Sequence, residues 1–183
     1  MFDLEILTPL SLPVAEACVL LKKKQELGFV PNIYGVIAAS SPALKAFDEL
    51  NLHFAQASFS DTEKQVIELV VSIENTCGYC VAGHSLFAKM LAVPDDIIQD
   101  LRNHRPLTDR RLGVLAEATK EIVRRKGEIS DSTLKGFYEV GYSGVHLLEL
   151  ILGIALKMFS NFVAKSTQLD LDDAFKDHAW PPS

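Results

Sequence analysis

Cys77-Gly78-Tyr79-Cys80, followed by His84, is the part of the chain whose residue types and spacing could do chemistry. Cysteines three apart can close a disulfide, and a histidine four residues further on can serve the second of them. On a helix turning about 100° per residue, Cys77, Cys80 and His84 fall within an arc of roughly 60° and share one face. The i, i+3 spacing puts the cysteine Cα atoms about 5 Å apart, inside the range a disulfide tolerates. The i, i+4 spacing makes Cys80 and His84 side-chain neighbours. Both cysteines would occupy the first turn or so of that helix, where unpaired N–H groups and the macrodipole favour the reactive thiolate. Thiolate attack on a peroxide O–O bond gives a sulfenic acid, and a second nearby thiol condenses with it to a disulfide. His84 would accept the thiol proton or help deliver one to the leaving group. Nucleophile, resolving thiol and proton shuttle are all present.

Other readings of the same residues stay open. A CxxC can be half of a zinc site, although structural zinc usually takes four protein ligands and no second CxxC or paired-His motif follows. Cysteines can also be buried packing residues. A thioredoxin-like site would need a βαβ context, and the flanks here read as helical.

Helix punctuation recurs along the chain. Pro13 suits a first helical position, and that helix runs to Gly28, with Cys18 in mid-helix reading as a small core residue. Ser41-Pro42 starts the next helix, with Leu44, Phe47, Leu50 and Phe54 at helical spacing. Ser60-Asp61-Thr62-Glu63 reads as a capping box that opens a helix through about Ile73. The run from Val66 to Ile73 is rich in β-branched residues, but the capping box and the lack of a flanking hairpin turn favour helix over strand. A helix from near Thr76 carries the cysteine motif to Met90. Pro94-Asp95-Asp96 opens a short one, Thr108 to Lys126 reads as another that stops at Gly127, and Ser130 caps one that Gly141 ends. Ser143 then starts a long apolar helix, Val145 to about Ala164, whose apolar residues on most faces imply burial or a partner subunit. A polar tail follows from about residue 166. The reading is a single all-α domain, a compact multi-helix bundle.

The chain has 183 residues, enough for one domain with a core, and 48% hydrophobic with 23% charged residues is ordinary for a globular protein. The net charge of -6 argues against nonspecific binding to nucleic acid or to an anionic membrane. The N-terminal stretch has no basic residue before Lys22, so no secretory signal is expected, and no run approaches the roughly 20 apolar residues of a spanning helix. The expected compartment is the cytoplasm, where a close cysteine pair cycles or binds metal more often than it forms a structural disulfide. His146 near the start of the last long helix reads as structural, and His53, His104 and His178 as surface residues.

With these residues laid out, the chain resembles the alkylhydroperoxidase D-like family of the carboxymuconolactone decarboxylase-like superfamily, and within it the peroxidase-related branch. The core of the resemblance is Thr62 to Ser72 leading into Asn75-Thr76-Cys77-Gly78-Tyr79-Cys80-Val81-Ala82-Gly83-His84-Ser85. Gly28-Phe29-Val30-Pro31-Asn32, Ser41-Pro42, Arg125-Lys126-Gly127, Gly141-Tyr142-Ser143 and Ser160-Asn161-Phe162 extend it over nearly the whole chain. The resemblance implies an all-α bundle assembled as a homo-oligomer, a trimer or a hexamer. It implies reduction of organic hydroperoxides with no haem, flavin or metal cofactor. Cys80 would be the peroxidatic cysteine, Cys77 the resolving one, and His84 part of a proton relay. Electrons would come from a lipoylated protein or another dithiol donor. The sequence departs from the family pattern twice. The relay glutamate twelve residues before the first cysteine is replaced by Gln65, for which Glu68, one turn on, is the candidate substitute. Tyr79 stands where some members have a relay histidine, and is expected to pack. Competing readings are a general dithiol–disulfide oxidoreductase, a non-redox lyase like the decarboxylase that names the superfamily, and a non-enzymatic assembly or metal-binding module.

Overall fold

A computed structural model describes residues 5–180, and among these there are nine α-helices and no strand. The helices are α1 (Val14–Leu27), α2 (Asn32–Ile37), α3 (Ser41–Ala55), α4 (Asp61–Glu74), α5 (Gly78–Met90), α6 (Asp95–Arg102), α7 (Arg110–Arg124), α8 (Asp131–Glu139) and α9 (Gly144–Ser166). Short 3-10 turns at Pro9–Ser11 and Asp173–His178 flank them.

The starts of the helices follow from their caps. Ser60 Oγ accepts from the Glu63 N–H at 3.2 Å while the Glu63 carboxylate accepts from the Ser60 N–H at 2.8 Å, so two orphan donors of α4 are satisfied reciprocally. Asp109 and Ser130 cap α7 and α8 in the same way, each accepting from the backbone three residues on. His146 Nδ1 accepts from the Ser143 N–H and meets its hydroxyl, and the ring packs edge-on against Phe59 and Tyr142, a structural role. The β-branched run Val66–Ile73 is helical, as the capping box implies.

α4 is the axis of the bundle. It packs against α5, α6, α7 and α9, and from Gln65 to Ile73 each of its residues is buried. A helix enclosed on all sides explains why its run looks as apolar as a buried strand. α9 closes one side along α3 and α4, and Gly153 is the close-approach point: a Cβ there would lie 2.5 Å from the Phe54 ring.

Four features differ from the sequence reading. Cys18 is exposed, because the buried face of α1 is Glu16 and Leu20, and a residue two positions from each lies about 200° round the helix. α2 was not foreseen; six residues between Pro31 and a turn are too few to show a period. α9 is, by length and composition, apolar enough to cross a membrane, with a mean hydropathy of 1.7 over its most apolar window. In this fold it turns Leu150, Ile154, Leu156, Lys157, Asn161 and Ala164 into the bundle. Lastly, the segment from about 166 is polar in composition yet forms a strap across α5, in which Asp172, Phe175 and Trp180 are buried.

Candidate active site

The turn between α4 and α5 places the two cysteines. α4 ends in a Schellman arrangement, in which the Cys77 N–H donates to Ser72 C=O and the Thr76 N–H to Ile73 C=O, both at 2.9 Å. This needs a left-handed residue at position 76, and Thr76 takes it with φ 49°. A β-branched residue there is strained, and the Thr76 hydroxyl is held by the Asn75 carbonyl and by Lys165 Nζ. Backbone strain of this kind gathers at functional sites. Cys77 is consequently the N-cap of α5, with φ -94° and ψ 89°, and precedes the first helical residue. The helical arc inferred from spacing therefore holds for Cys80 and His84, and Cys77 stands just off it. Cys80 is in the first turn, as expected.

Both thiols are free and buried, Cys77 1% and Cys80 4% exposed. They differ in what they face. Cys80 lines a cavity of about 250 Å³, together with Gln65 and Glu68 from α4, His84 from α5 and Lys157 from α9. Cys77 is not part of that lining. The remaining walls are largely apolar, including Ile33, Tyr34, Phe47, Phe87, Leu156 and Phe175.

His84 is held at both nitrogens. Nδ1 lies 3.2 Å from Gln65 Oε1 and 3.3 Å from a Glu68 carboxylate oxygen, and Gln65 Nε2 donates to that same oxygen at 2.7 Å. Nε2 lies 2.6 Å from Lys157 Nζ. Two protonated nitrogens do not approach this closely, so the pair shares one positive charge. With Nδ1–H facing two acceptors, Nε2 offers its lone pair and the Lys157 ammonium donates. The candidates Gln65, Glu68, His84 and Cys80 thus converge on one cavity.

The electrostatics separate the thiols. A hydrogen bond from Cys77 is the largest influence that brings the Cys80 thiol down, to about 6. Burial opposes it, and the charge held between Lys157 and His84, with the Asn161 amide, supports it. The same hydrogen bond, then burial, then the Cys80 charge push Cys77 far upward. Of the two, Cys80 favours the thiolate and Cys77 the thiol. Burial pushes the Glu68 carboxyl up, but His84, Lys157 and Gln65 outweigh it and the net direction is down. Tyr79 is a structural tie: its hydroxyl donates to Asp172 at 2.6 Å and accepts from the Ile33 N–H at 3.1 Å, which pins the strap and α2 to α5. Among the described residues no group of three or more His, Cys, Asp or Glu is placed to hold a metal ion.

Lys157 was not anticipated from the sequence. The available signal is a lysine that follows two uninterrupted apolar turns of α9, Leu150 to Leu156, a position at which a cation is costly unless it has a task.

Residues 41–110 match the carboxymuconolactone decarboxylase family. The fold is shared with solved structures along almost the whole chain. A peroxidase-related protein from Silicibacter sp. TM1040 is 22% identical with a TM-score of 0.83, over 95% of this chain and 92% of that one. A peroxidase-related protein from Ralstonia eutropha JMP134, described as an alkylhydroperoxidase AhpD core, is 17% identical with a TM-score of 0.86, over 98% and 96%. The debrominase Bmp8, as a cysteine-to-alanine variant in complex with 2,3,4-tribromopyrrole, is 16% identical with a TM-score of 0.84, over 97% and 96%. The family match covers less than half of the chain, and what the whole chain shares with these structures is the fold. No functionally curated protein matches the chain in sequence. The matched segment runs from α3 to the first residue of α7 and holds Gln65, Glu68, Cys77, Cys80 and His84. Lys157 lies outside it.

Proposed function

We propose that this protein is a cysteine-based peroxidase that reduces organic hydroperoxides through a Cys77–Cys80 dithiol–disulfide cycle. The observation that carries the reading is the asymmetry of the pair: Cys80 faces the cavity and favours the thiolate, while Cys77 stands outside the lining as a neutral thiol one turn away. Cys80 sulfur attacks the distal peroxide oxygen, the O–O bond breaks, and the alcohol leaves after protonation. Cys77 then displaces hydroxide from the sulfenic acid, which leaves as water with the Cys77 proton, and a dithiol donor such as a lipoylated protein returns two electrons. Neither metal nor organic cofactor is required. Glu68 and Gln65 orient His84, and the apolar walls suit an organic substituent on the peroxide better than hydrogen peroxide alone.

The same reading makes the protein cytoplasmic and homo-oligomeric. Support for assembly comes from the outer side of α9, where Val145, Leu148, Ile151 and Phe162 are exposed.

The test is a thiol count on fully reduced protein before and after one equivalent of tert-butyl hydroperoxide, with mass spectrometry to locate any new disulfide. Loss of two thiols with a Cys77–Cys80 link and an untouched Cys18 is expected. Retention of all three thiols would remove the peroxidase reading.

A further inference from the structure

Lys157 is the one group at the cavity that the resemblance did not supply and that a packing account does not explain. It is 5% exposed on α9, between Leu156 and Met158, in a stretch where a leucine would bury without cost. Among the described residues its Nζ meets one acceptor, His84 Nε2 at 2.6 Å. An ammonium has three N–H bonds, so two remain unspent on a side chain that lines the same cavity as Cys80. His84, in contrast, has no nitrogen to spare, since Gln65 and Glu68 take Nδ1. The groups that titrate around the cavity are Glu68 on α4, Cys80, Tyr79 and His84 on α5, Tyr34 on α2, and Lys23 and Glu26 on α1. Together with Lys157, His84 supplies the positive charge that favours the Cys80 thiolate.

We propose that Lys157 is the acid of the reaction: its unspent N–H bonds hold the proximal oxygen of a hydroperoxide in the cavity and protonate it as it leaves, while His84 is a positioning residue that keeps Nζ aimed. The inference rests on the peroxidase reading and names the proton's source within it. The step balances as follows. Cys80 thiolate forms an S–O bond to the distal oxygen and the O–O bond breaks. The alkoxide takes a proton from Nζ, which leaves Cys80 sulfenic acid, an alcohol and a neutral Lys157 amine. Condensation with the Cys77 thiol releases water. When a dithiol donor reduces the disulfide, the Cys80 thiol returns its proton to the amine, and the thiolate–ammonium pair is restored. Sulfur is oxidised, the peroxide oxygens are reduced, and the donor dithiol closes the electron count. Gln65 is consistent with this arrangement: a second carboxylate there, beside Glu68, would add to the competition with the thiolate for the cation, whereas an amide only orients the imidazole.

The test uses the full chain with Cys18→Ser, so that the motif cysteines alone report, and compares Lys157→Met and Lys157→Arg with the parent. The first readout is independent of peroxide: the pH at which iodoacetamide alkylation of Cys80 reaches half its maximal rate. Met should move it upward by more than about one pH unit, a tenfold loss of thiolate at neutral pH, and Arg should leave it in place. The second readout is leaving-group dependence, at a pH where the thiolate is fully formed. With tert-butyl hydroperoxide, whose alkoxide needs a proton, both variants should fall by about 100-fold or more, the scale of general-acid catalysis. With peracetic acid, whose carboxylate leaves unprotonated, the fall should be under about tenfold. Arg keeps the charge but does not yield its proton, so an Arg variant matching the parent with both oxidants would overturn the proposal even if the Met variant failed to fold. Equal losses with the two oxidants would overturn it too. If the parent reacts with neither oxidant, the peroxidase reading and the proton transfer fall together, and the alkylation profile alone reports whether Lys157 and Cys80 form an ion pair.

Discussion

Gln65 and Glu68 stand one helical turn apart on α4 and meet the same imidazole nitrogen, but only Glu68 brings a charge. That carboxylate faces the positive charge held by Lys157 and His84 from the side of α4. Glu68→Gln should therefore cost stability on the order of 3 kcal/mol, the scale for removing one side of a buried ion pair. It should also shift Cys80 alkylation to lower pH, since a negative charge that competes with the thiolate is gone. Urea unfolding and the alkylation profile read the two effects, and an unshifted profile would separate Glu68 from the electrostatics of Cys80. Cys77→Ser should leave the first oxidation of Cys80 in place but stop at the sulfenic acid, trapped by dimedone, with no multiple turnover. Much of this chemistry was legible beforehand. Cys80, His84 and Glu68 sit at i, i+4 and i, i+3 spacings on two adjacent helices, so local geometry fixes them. Lys157 was not legible, because it reaches the site from α9, 73 residues from His84, and no local period records such a contact.

Elements are held to one another by polar ties at their ends. Glu63, near the start of α4, accepts from the Tyr142 hydroxyl at 2.6 Å and from Arg111 Nε at 2.9 Å, and Arg111 stacks over the Tyr142 ring. Burial pushes the Glu63 carboxyl up, yet Tyr142, Ser60 and Arg111 together bring it down to about 2. A carboxyl lowered on folding stabilises the native state above its unfolded pKa of about 4.3, and that contribution is lost as pH falls through the folded value. The stability gap between the parent and Glu63→Gln should accordingly be constant from pH 7 to about 5 and shrink from there toward pH 2, as read from urea midpoints. Gly153 is the other control point. Gly153→Ala would drive a methyl into the Phe54 ring and against Ile67, at a cost of about 1–3 kcal/mol for overpacking. A thermal melt equal to the parent's would mean that α3 and α9 can part without penalty. The caps of α4 and α8 were readable because Ser60 and Ser130 act locally at fixed offsets, whereas the caps of α3 and α7 are Ser40 and Asp109, each one residue from where the reading began the helix. The left-handed Thr76 was not, since threonine is rarely found in that conformation. Its φ is set by the Schellman turn and by Lys165, neither visible in the local sequence.

At the scale of the molecule, α9 has two faces with different duties. One supplies Lys157, Ser160 and Asn161 to the interior, and the other exposes Leu148 at 70% and Val145 and Ile151 beside it. A second copy of the chain is the expected partner for that outer face. Sedimentation at micromolar concentration should show a trimer or hexamer, and Leu148→Asp should release smaller species while the Cys80 alkylation profile is kept. A monomer in the parent would defeat the assembly. The apolar pattern of α9 predicts burial or a partner subunit on most faces; the bundle covers one side, and the other is exposed. The pattern could not divide that surface between the core and a neighbour, because both coverings select the same residue types.

The strap crosses α5 where the redox motif begins. The carbonyl of Trp180 lies so close to Gly78 that a Cβ there would be 3.2 Å away, and the indole N–H donates to Arg102 C=O at 3.0 Å. Trp180 is the one tryptophan in the chain, and it rests beside the start of α5, the backbone that the proposed Cys77–Cys80 disulfide would shift. In the proposed cycle Trp180 would serve as an optical gauge of redox state. Indole emission should change on oxidation, return with dithiothreitol and stay flat in Cys77→Ser, so that each half-reaction can be timed in unlabelled protein.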